Sequence, residues 1–273
     1  MRQAKVISRE YKIMLQASRF AGNEGELRQQ AQRFWAEYHQ TIRQVVFDTD
    51  GDLDEIDQQR LVRFYDTPGQ RLRQHDYICR ERRDEHSGDR EVMLKFRHPD
   101  RYVAQDRDLD APSGSHSDSK FEADIKRPFQ PLYSLSSKQK LASTRHLNTM
   151  SDLGRLYPGL PPTLDVYNAA EAITVVGDFT ARELVLTGAD FQIGKGPKIE
   201  AECALIVWYD VAGSARQPVV VEYSFRYGDK DEHYEGEVAK RAYDAFQLLQ
   251  SEALAGWVDK AAFTKTAYVY SRA

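Results

Sequence analysis

Two neighbouring segments of the chain place positively charged side chains on one face of a predicted hairpin. In residues 77–97, YICRERRDEHSGDREVMLKFR, Arg80 and Arg82 are two positions apart, and so are Lys95 and Arg97. Because side chains alternate across a strand, each pair shares a face and has apolar residues behind it. Guanidinium groups bind phosphate through paired hydrogen bonds, and ammonium groups bind it as point charges. Four such cations on adjacent strands therefore predict a phosphate site.

Carboxylates follow the same alternation in other segments. The acidic side chains that share a face with other charged residues are Glu10, Glu122, Asp124, Glu200, Glu202 and Glu222. Like charges on neighbouring strands cost free energy unless something neutralises them. Hard divalent cations prefer oxygen ligands, so the acidic faces favour a metal ion as the basic faces favour phosphate. Together the two kinds of face predict a site for a metal–polyphosphate complex.

A solvent-exposed sheet is the alternative interpretation of the same pattern. An antiparallel sheet with one face in water also alternates polar and apolar residues, and for any single strand this is the favoured reading. Exposed faces usually mix Thr, Ser, Gln and Lys, whereas these faces stack like charges. Taken together, the strands therefore favour a binding site over a solvent-exposed sheet surface.

Composition limits the classes of function. The 273 residues carry 38 Lys and Arg against 42 Asp and Glu, a formal net charge of −4, which argues against a general nucleic-acid binder. The two cysteines, Cys79 and Cys203, lie in strand-like segments and predict reduced core thiols rather than a disulfide framework. No segment approaches the length of a membrane span. We expect a cytoplasmic protein without a nucleic-acid or membrane partner, and the oligomeric state is left open.

Short strands and two longer helices must position these side chains. Strands are predicted at 5–15, 61–67, 76–83, 91–98 and 121–126, and in AITVVGDF, TARELVLTG, KIEAECALIVWYD and QPVVVEYSFRYG. Helices are predicted at 23–46, where Asn23 and Glu26 form a capping box, and at 236–257. Residues 48–57 are expected to be an acidic loop, 127–165 irregular chain with helical fragments around SSKQKLAS and SDLGRLYPGL, and 264–270 a final short strand. At least eight strands without sustained βα alternation predict a largely antiparallel barrel or sandwich.

The order of the motifs resembles the CYTH or triphosphate tunnel metalloenzyme superfamily. Residues 8–12 (SREYK) resemble the family's ExExK strand, Tyr65-Asp66-Thr67-Pro68 its tyrosine-aspartate-threonine-proline signature, and 78–82 its LRxR strand. Residues 94–97 are similar to an LKxR strand. Further matches are the acidic pairs at 122–124 and 200–202, a mid-chain basic residue at Arg182, and a terminal segment at Lys265. The resemblance covers nearly the whole chain, with Ser8 in place of the first glutamate of ExExK.

This resemblance implies an α+β fold, in which a closed antiparallel eight-stranded β-barrel forms a tunnel with flanking helices. It implies one domain over 1–273, with an irregular helical insertion around 127–170. The activity implied is metal-dependent hydrolysis of a triphosphate, with inorganic tripolyphosphate as the leading substrate and Mg²⁺ or Mn²⁺ as cofactor. The partner would be a small molecule that carries a triphosphate.

The same resemblance implies roles for individual residues. Those expected to bind phosphate oxygens are Lys12, Arg80, Arg82, Lys95, Arg97 and Arg182. Those expected to hold divalent ions are Glu10, Glu200, Glu202 and Glu222. Glu122 and Asp124 are assigned to catalysis, where they could bind metal, orient water or pair with the cations. Two alternatives stay open, an adenylate cyclase on the same fold and a polyphosphate or nucleotide binder without catalysis, which Ser8 favours.

Overall fold

The structure is a computed structural model and describes residues 4–261 and 263–273. Its strands are β1 (Ser8–Leu15), β2 (Asp48–Asp66), β3 (Tyr77–Asp84), β4 (Arg90–His98), β5 (Asp118–Lys126), β6 (Gln130–Leu141), β7 (Thr174–Lys195), β8 (Lys198–Asp210) and β9 (Val220–Gly228). Its helices are α1 (Glu24–Ile42), α2 (Arg71–Gln74), α3 (Arg101–Gln105), α4 (Met150–Leu156), α5 (Gly236–Leu249) and α6 (Lys265–Tyr270). Short 3₁₀ helices lie at Ala17–Phe20, Pro161–Thr163 and Glu252–Leu254.

The strands form one closed ring in the order β1-β5-β6-β4-β3-β2-β7-β8-β9, with β9 paired back to β1. Every neighbouring pair is antiparallel except β1 and β5, which run parallel. The α+β class and the tunnel-like closure agree with the sequence prediction. The expected eight strands, all antiparallel, are not confirmed, because the described residues form nine strands with one parallel pair.

The two longest strands correct the prediction of an acidic loop at 48–57. Strand β2 begins at Asp48 and pairs with β7 from its first residue, Asp48 with Gln192. Trp35 of α1 donates its indole N–H to the carbonyl of Gly51 at 2.8 Å and ties this extension to the helix. Backbone pairing therefore holds an acidic segment in a strand while its carboxylates face water. The segments AITVVGDF and TARELVLTG, predicted as two strands, are parts of β7 alone.

Two further short segments have a different structure from the one predicted. The predicted strand at 264–270 is instead helix α6, which begins at Lys265 and is capped by the Thr264 hydroxyl, which accepts a hydrogen bond from the Ala267 N–H at 3.3 Å. Residues 130–141, expected as irregular chain with a helical fragment at SSKQKLAS, form β6 between β4 and β5. The helical fragment predicted at SDLGRLYPGL is confirmed as α4. Runs of six to eight residues lack the length that separates strand from helix periodicity.

Helices α1 and α5 cover the outer face of one side of the ring. The capping box of α1 is present, with the Asn23 side chain accepting from the Glu26 N–H and the Glu26 side chain accepting from the Asn23 N–H. Phe34 of α1 packs edge to face on Tyr223 of β9, with ring centroids 4.9 Å apart. The apolar outer face of β9 is thus buried against the helices, and its charged face is turned into the ring.

None of the helices in the described part of the chain has both the length and the apolar composition needed to cross a bilayer. The expected location in the cell stays a prediction.

Candidate anion-binding tunnel

The inward faces of the ring enclose a cavity of about 1180 Å³, which we call the lumen. Fifteen lysines and arginines line it against twelve aspartates and glutamates, although the whole chain is acidic. Lining residues run along β5 from Asp118 to Lys126, the full length of that strand. The strand faces inferred from alternation therefore do meet in one space, and that space has a positive excess.

Asp124 on β5 is the centre of the first charged cluster. Its carboxylate accepts hydrogen bonds from Lys12 Nζ at 2.7 Å and from Arg97 Nη2 at 2.9 Å, and Lys95 Nζ lies 3.5 Å away. The Ser134 hydroxyl donates to the same carboxylate at 3.0 Å. Although burial opposes ionisation, these cations hold the pKa of Asp124 well below its usual range. Asp124 is therefore an ionised anchor that fixes three predicted phosphate ligands in place.

The lysines of this cluster differ in their pKa values. Burial opposes the charge of Lys12, but the carboxylates of Asp124 and Glu10 raise its pKa above the usual value. Burial lowers the pKa of Lys95, and the Asp124 carboxylate offsets that effect only in part. Lys95 therefore has less compensation for its charge than Lys12.

Glu183 on β7 is the centre of a second cluster that sequence reasoning missed. This fully buried carboxylate is ion-paired with Arg60 of β2, and Arg82 Nε lies 3.6 Å from its Oε1 atom. Trp208 donates its indole N–H to the Oε2 atom at 2.7 Å. Despite the burial, Arg82 and Arg60 lower the pKa of Glu183. Glu183 thus holds one predicted phosphate ligand, Arg82, and one not predicted, Arg60.

Arg80 differs from Arg82 and Arg97 because no carboxylate in the described part of the chain forms an ion pair with it. Among the described residues it has no ion pair, and the only hydrogen bond recorded for its side chain is from Nη2 to Met93 Sδ at 3.5 Å. Its Nε group is buried without a hydrogen-bond partner in the same part of the chain, as is that of Arg97. Burial and the nearby charge of Arg82 lower the pKa of Arg80 to about 9. Arg80 still carries its proton at neutral pH, and Glu183 and Glu91 offset its charge only from a distance, so among the described residues it is a lumen cation without a direct ion pair.

The four carboxylates predicted to bind metal each contact a basic side chain. Glu10 lies 2.9 Å from Lys12, and Glu222 lies 2.9 Å from Lys265 of α6. Glu202 pairs with Arg226 at 2.8 Å, and both are exposed at the rim. Glu200 pairs with Lys198 and lies outside the lining of the lumen. The predicted set is therefore spread from the lumen to its rim.

This arrangement does not fit a resident metal ion. No group of three or more His, Cys, Asp or Glu side chains suited to a metal ion occurs in residues 4–261 and 263–273. Magnesium in proteins needs one or two carboxylates and completes its octahedron with water and substrate phosphates. The predicted ligands do not form a preformed metal-coordination site, and the Mg²⁺ or Mn²⁺ cofactor stays a prediction.

Two of the remaining predicted residues occupy different positions. Arg182 lies outside the lumen, where its Nε donates to Glu85 at 2.8 Å and its Nη2 donates to Gln59 at 3.1 Å. Glu122 faces the lumen, 3.8 Å from Lys95, and accepts a long hydrogen bond of 3.4 Å from the hydroxyl of Ser8. The structure thus brings together all the predicted phosphate ligands except Arg182.

The sequence pattern gives little indication that Glu183 and Arg60, which were not predicted, belong to the site. Glu183 alternates with Val185 and Thr187, so its strand face carries no stack of charges. Arg60 lies at the start of a predicted strand, where a charge reads as a loop residue.

No protein-family model and no curated protein matches the chain. Its structure is similar to that of a candidate adenylyl cyclase from Hippeastrum with a dominant triphosphatase activity, at 12% identity and a TM-score of 0.47, over 97% of this chain and 96% of that one. A candidate adenylate cyclase from Vibrio parahaemolyticus matches at 11% identity and a TM-score of 0.37, over 98% and 99% of the two chains. One from Bacillus halodurans matches at 12% and 0.36, over 97% of each.

A closed tunnel with acidic and basic side chains facing its lumen is the architecture that the resemblance to the CYTH or triphosphate tunnel metalloenzyme superfamily implies. The chain has this architecture, with nine strands where eight were expected.

Proposed function

We propose that the lumen binds the phosphate groups of a triphosphate and that the protein hydrolyses the terminal phosphoanhydride, with inorganic tripolyphosphate as the first substrate to test. The observation that carries this proposal is Arg80, an inward-facing cation with no carboxylate partner among the described residues. A phosphate oxygen at this position would give the guanidinium the direct ion pair that none of the described carboxylates forms with it. The buried, unpaired Nε group of Arg97 supports the same ligand.

Phosphoryl transfer depends on positioning and charge neutralisation more than on covalent chemistry. The guanidinium groups of Arg80, Arg82 and Arg97 would contact the phosphate oxygens. Glu183 would hold Arg82 in position, and Asp124 would hold Arg97. We assign Asp124 to orientation rather than proton transfer, because a carboxylate with a strongly lowered pKa is a poor base near neutral pH. Glu122, whose polar contacts with the described residues are all long, is the carboxylate that we assign to orienting the attacking water.

The experiment measures phosphate release from tripolyphosphate, thiamine triphosphate and ATP at neutral and alkaline pH, with Mg²⁺, Mn²⁺ or chelator. Arg80→Gln should reduce release strongly. The matched control is Arg83→Gln, which removes the same charge from an exposed position on the same strand. Release unaffected by Arg80→Gln would refute the assignment of Arg80.

The products separate the alternatives that the sequence left open. Formation of cyclic AMP from ATP would make the protein a cyclase. Binding of tripolyphosphate without release from any substrate would make it a binding protein. Absence of both binding and release would overturn the proposal as a whole.

A further inference from the structure

We infer that the tunnel binds a polyphosphate chain without a divalent metal ion, an inference that rests on the proposed function of the same lumen. It starts from the positions where the sequence predicts metal ligands. Glu10, Glu202 and Glu222 each lie within 2.9 Å of a lysine or arginine nitrogen, and Glu200 contacts Lys198. The basic partners are Lys12, Arg226, Lys265 and Lys198. Basic side chains therefore occupy the sites that a metal ion would need.

Metal binding at these carboxylates would have a cost inside the lumen. A divalent ion on Glu222 would displace Lys265 and leave a largely buried ammonium group beside the metal charge. The Lys265 side chain is only 13% exposed, and the Glu222 carboxylate lies 2.9 Å from its ammonium group. Removing one partner of a buried ion pair is strongly unfavourable because the other charge is left without compensation. A polyanion has the opposite effect, since it adds negative charge where cations are in excess.

The balance of charge favours the free polyanion over its metal complex. The lumen lining has more lysines and arginines than aspartates and glutamates, and Arg80 has no acidic partner in the described part of the chain. Coordination of Mg²⁺ cancels part of the negative charge of tripolyphosphate. The metal complex is therefore attracted less strongly to a positive lumen than the free anion.

Ser8 points in the same direction. It lies beside Glu122 in the register of β1 and β5, with a hydroxyl where the ExExK pattern has a carboxylate. A serine donates a hydrogen bond to Glu122 and adds no negative charge. This position of β1 thus contributes neither a carboxylate ligand for a metal ion nor repulsion toward an anion.

The test is isothermal titration of the whole protein with sodium tripolyphosphate, in chelator and in excess Mg²⁺ at matched ionic strength. We expect the dissociation constant in chelator to be equal to or lower than that in Mg²⁺. An affinity weaker in chelator by more than about threefold would overturn the inference and leave the proposed function standing. Lack of binding in both buffers would overturn the proposed function itself.

Two variants test the inference at the carboxylates. Glu202→Gln lies at the exposed rim, where it puts folding at little risk, and Glu222→Gln lies deeper in the lumen. If these carboxylates hold basic side chains, both variants should bind tripolyphosphate in Mg²⁺ as tightly as the parent protein or more tightly. Loss of affinity in Mg²⁺ but not in chelator would identify metal ligands and overturn the inference. Glu24→Gln, exposed on α1, controls for the loss of one negative charge.

Discussion

The phenol of Tyr270 donates a hydrogen bond to the Asp66 carboxylate at 2.8 Å and joins two buried residues that are 204 positions apart in the chain. Asp66 also accepts hydrogen bonds from the backbone N–H groups of Thr67, Leu72 and Arg73. The tyrosine-aspartate-threonine-proline signature thus anchors α6 to the end of β2. Because α6 carries Lys265 to the lumen wall, this hydrogen bond helps to hold one wall of the site in place.

Replacing Tyr270 by Phe should reduce the free energy of unfolding by about 1 to 2 kcal/mol, since Asp66 loses one hydrogen bond to a charged acceptor and keeps three. Urea denaturation measures the change, and hydrogen exchange should show faster opening of α6. Tyr268→Phe is the control, because within residues 4–261 and 263–273 its hydroxyl accepts one hydrogen bond, from exposed Arg272. Equal effects of the two substitutions would contradict the anchoring role of Asp66.

Glu183→Gln should be among the most destabilising single substitutions in the lumen. The amide can still accept the Trp208 hydrogen bond, but it removes the counter-charge of Arg60 and Arg82. The expected loss is about 2 to 4 kcal/mol, below the full value for a buried ion pair because both arginines keep some contact with water. Glu85→Gln breaks an exposed pair with Arg182 and should cost less than about 1 kcal/mol. A loss for Glu183→Gln as small as that of the control would rule out its proposed role.

Stability should fall in acid. The pKa values of Asp124 and Glu183 are lower in the folded protein than their ordinary values of 3.8 and 4.5. Their stabilisation is therefore complete above those ordinary values and is lost as the pH falls through them toward the folded pKa values. Urea unfolding at a series of pH values should show a plateau near neutrality and a decline below about pH 5. A flat profile from neutrality into this acid range would contradict the ion pairs described.

Affinity for tripolyphosphate should weaken at alkaline pH. Arg80 has a pKa lowered to about 9, and the pKa of Lys95 is lowered by burial. A bound anion favours the protonated forms, so binding above the free pKa values requires proton uptake and becomes less favourable. Titration calorimetry in two buffers of different ionisation enthalpy should detect this uptake. Equal apparent enthalpies in both buffers above about pH 9 would argue against these groups as ligands.

Ser8→Glu would restore the ExExK pattern and separate two kinds of site. In chelator the new carboxylate lies beside Glu122 and should weaken tripolyphosphate binding by about tenfold through repulsion of the ligand. With Mg²⁺ or Mn²⁺ present, part of that loss should be recovered, because two neighbouring carboxylates can share a cation. The isosteric Ser8→Gln controls for size. Unchanged affinity for Ser8→Glu in chelator would show that residue 8 is too far from the bound tripolyphosphate to repel it.

The faces of the strands could be predicted from alternation, since a period of two places each charge on one side or the other. Alternation along QPVVVEYSFRYG places Tyr223 and Phe225 behind Glu222 and Arg226, and the structure has both aromatic residues in the core. Alternation does not indicate, however, whether a residue on the inward face is buried in the lumen or exposed at its rim. The acidic pair of β8 reads like the acidic pair of β5, although Glu202 reaches the exposed rim and Asp124 is buried.

Long-range pairing explains the other errors. Residues 48–57 have a loop-like composition, and only their partners on β7, more than a hundred positions away, make them a strand. Glu183 could not be recognised because its importance comes from Arg60, Arg82 and Trp208 on three other strands. These contacts join residues far apart in the sequence and form only in the closed ring, so the local sequence pattern does not indicate them.

The ring closes at β1, which lies between β5 and β9 and carries Glu10 and Lys12. Strand β1 precedes all the other strands in the sequence, and β9 follows them. During synthesis, β1 must therefore wait for the ribosome to deliver residues 220–228 before its second edge is paired. Contacts of such large sequence separation form slowly, because the closure entropy of the loop comes before any gain. A nascent chain that ends before β9 has most of the lysines and arginines of the site but no enclosed space in which to gather them.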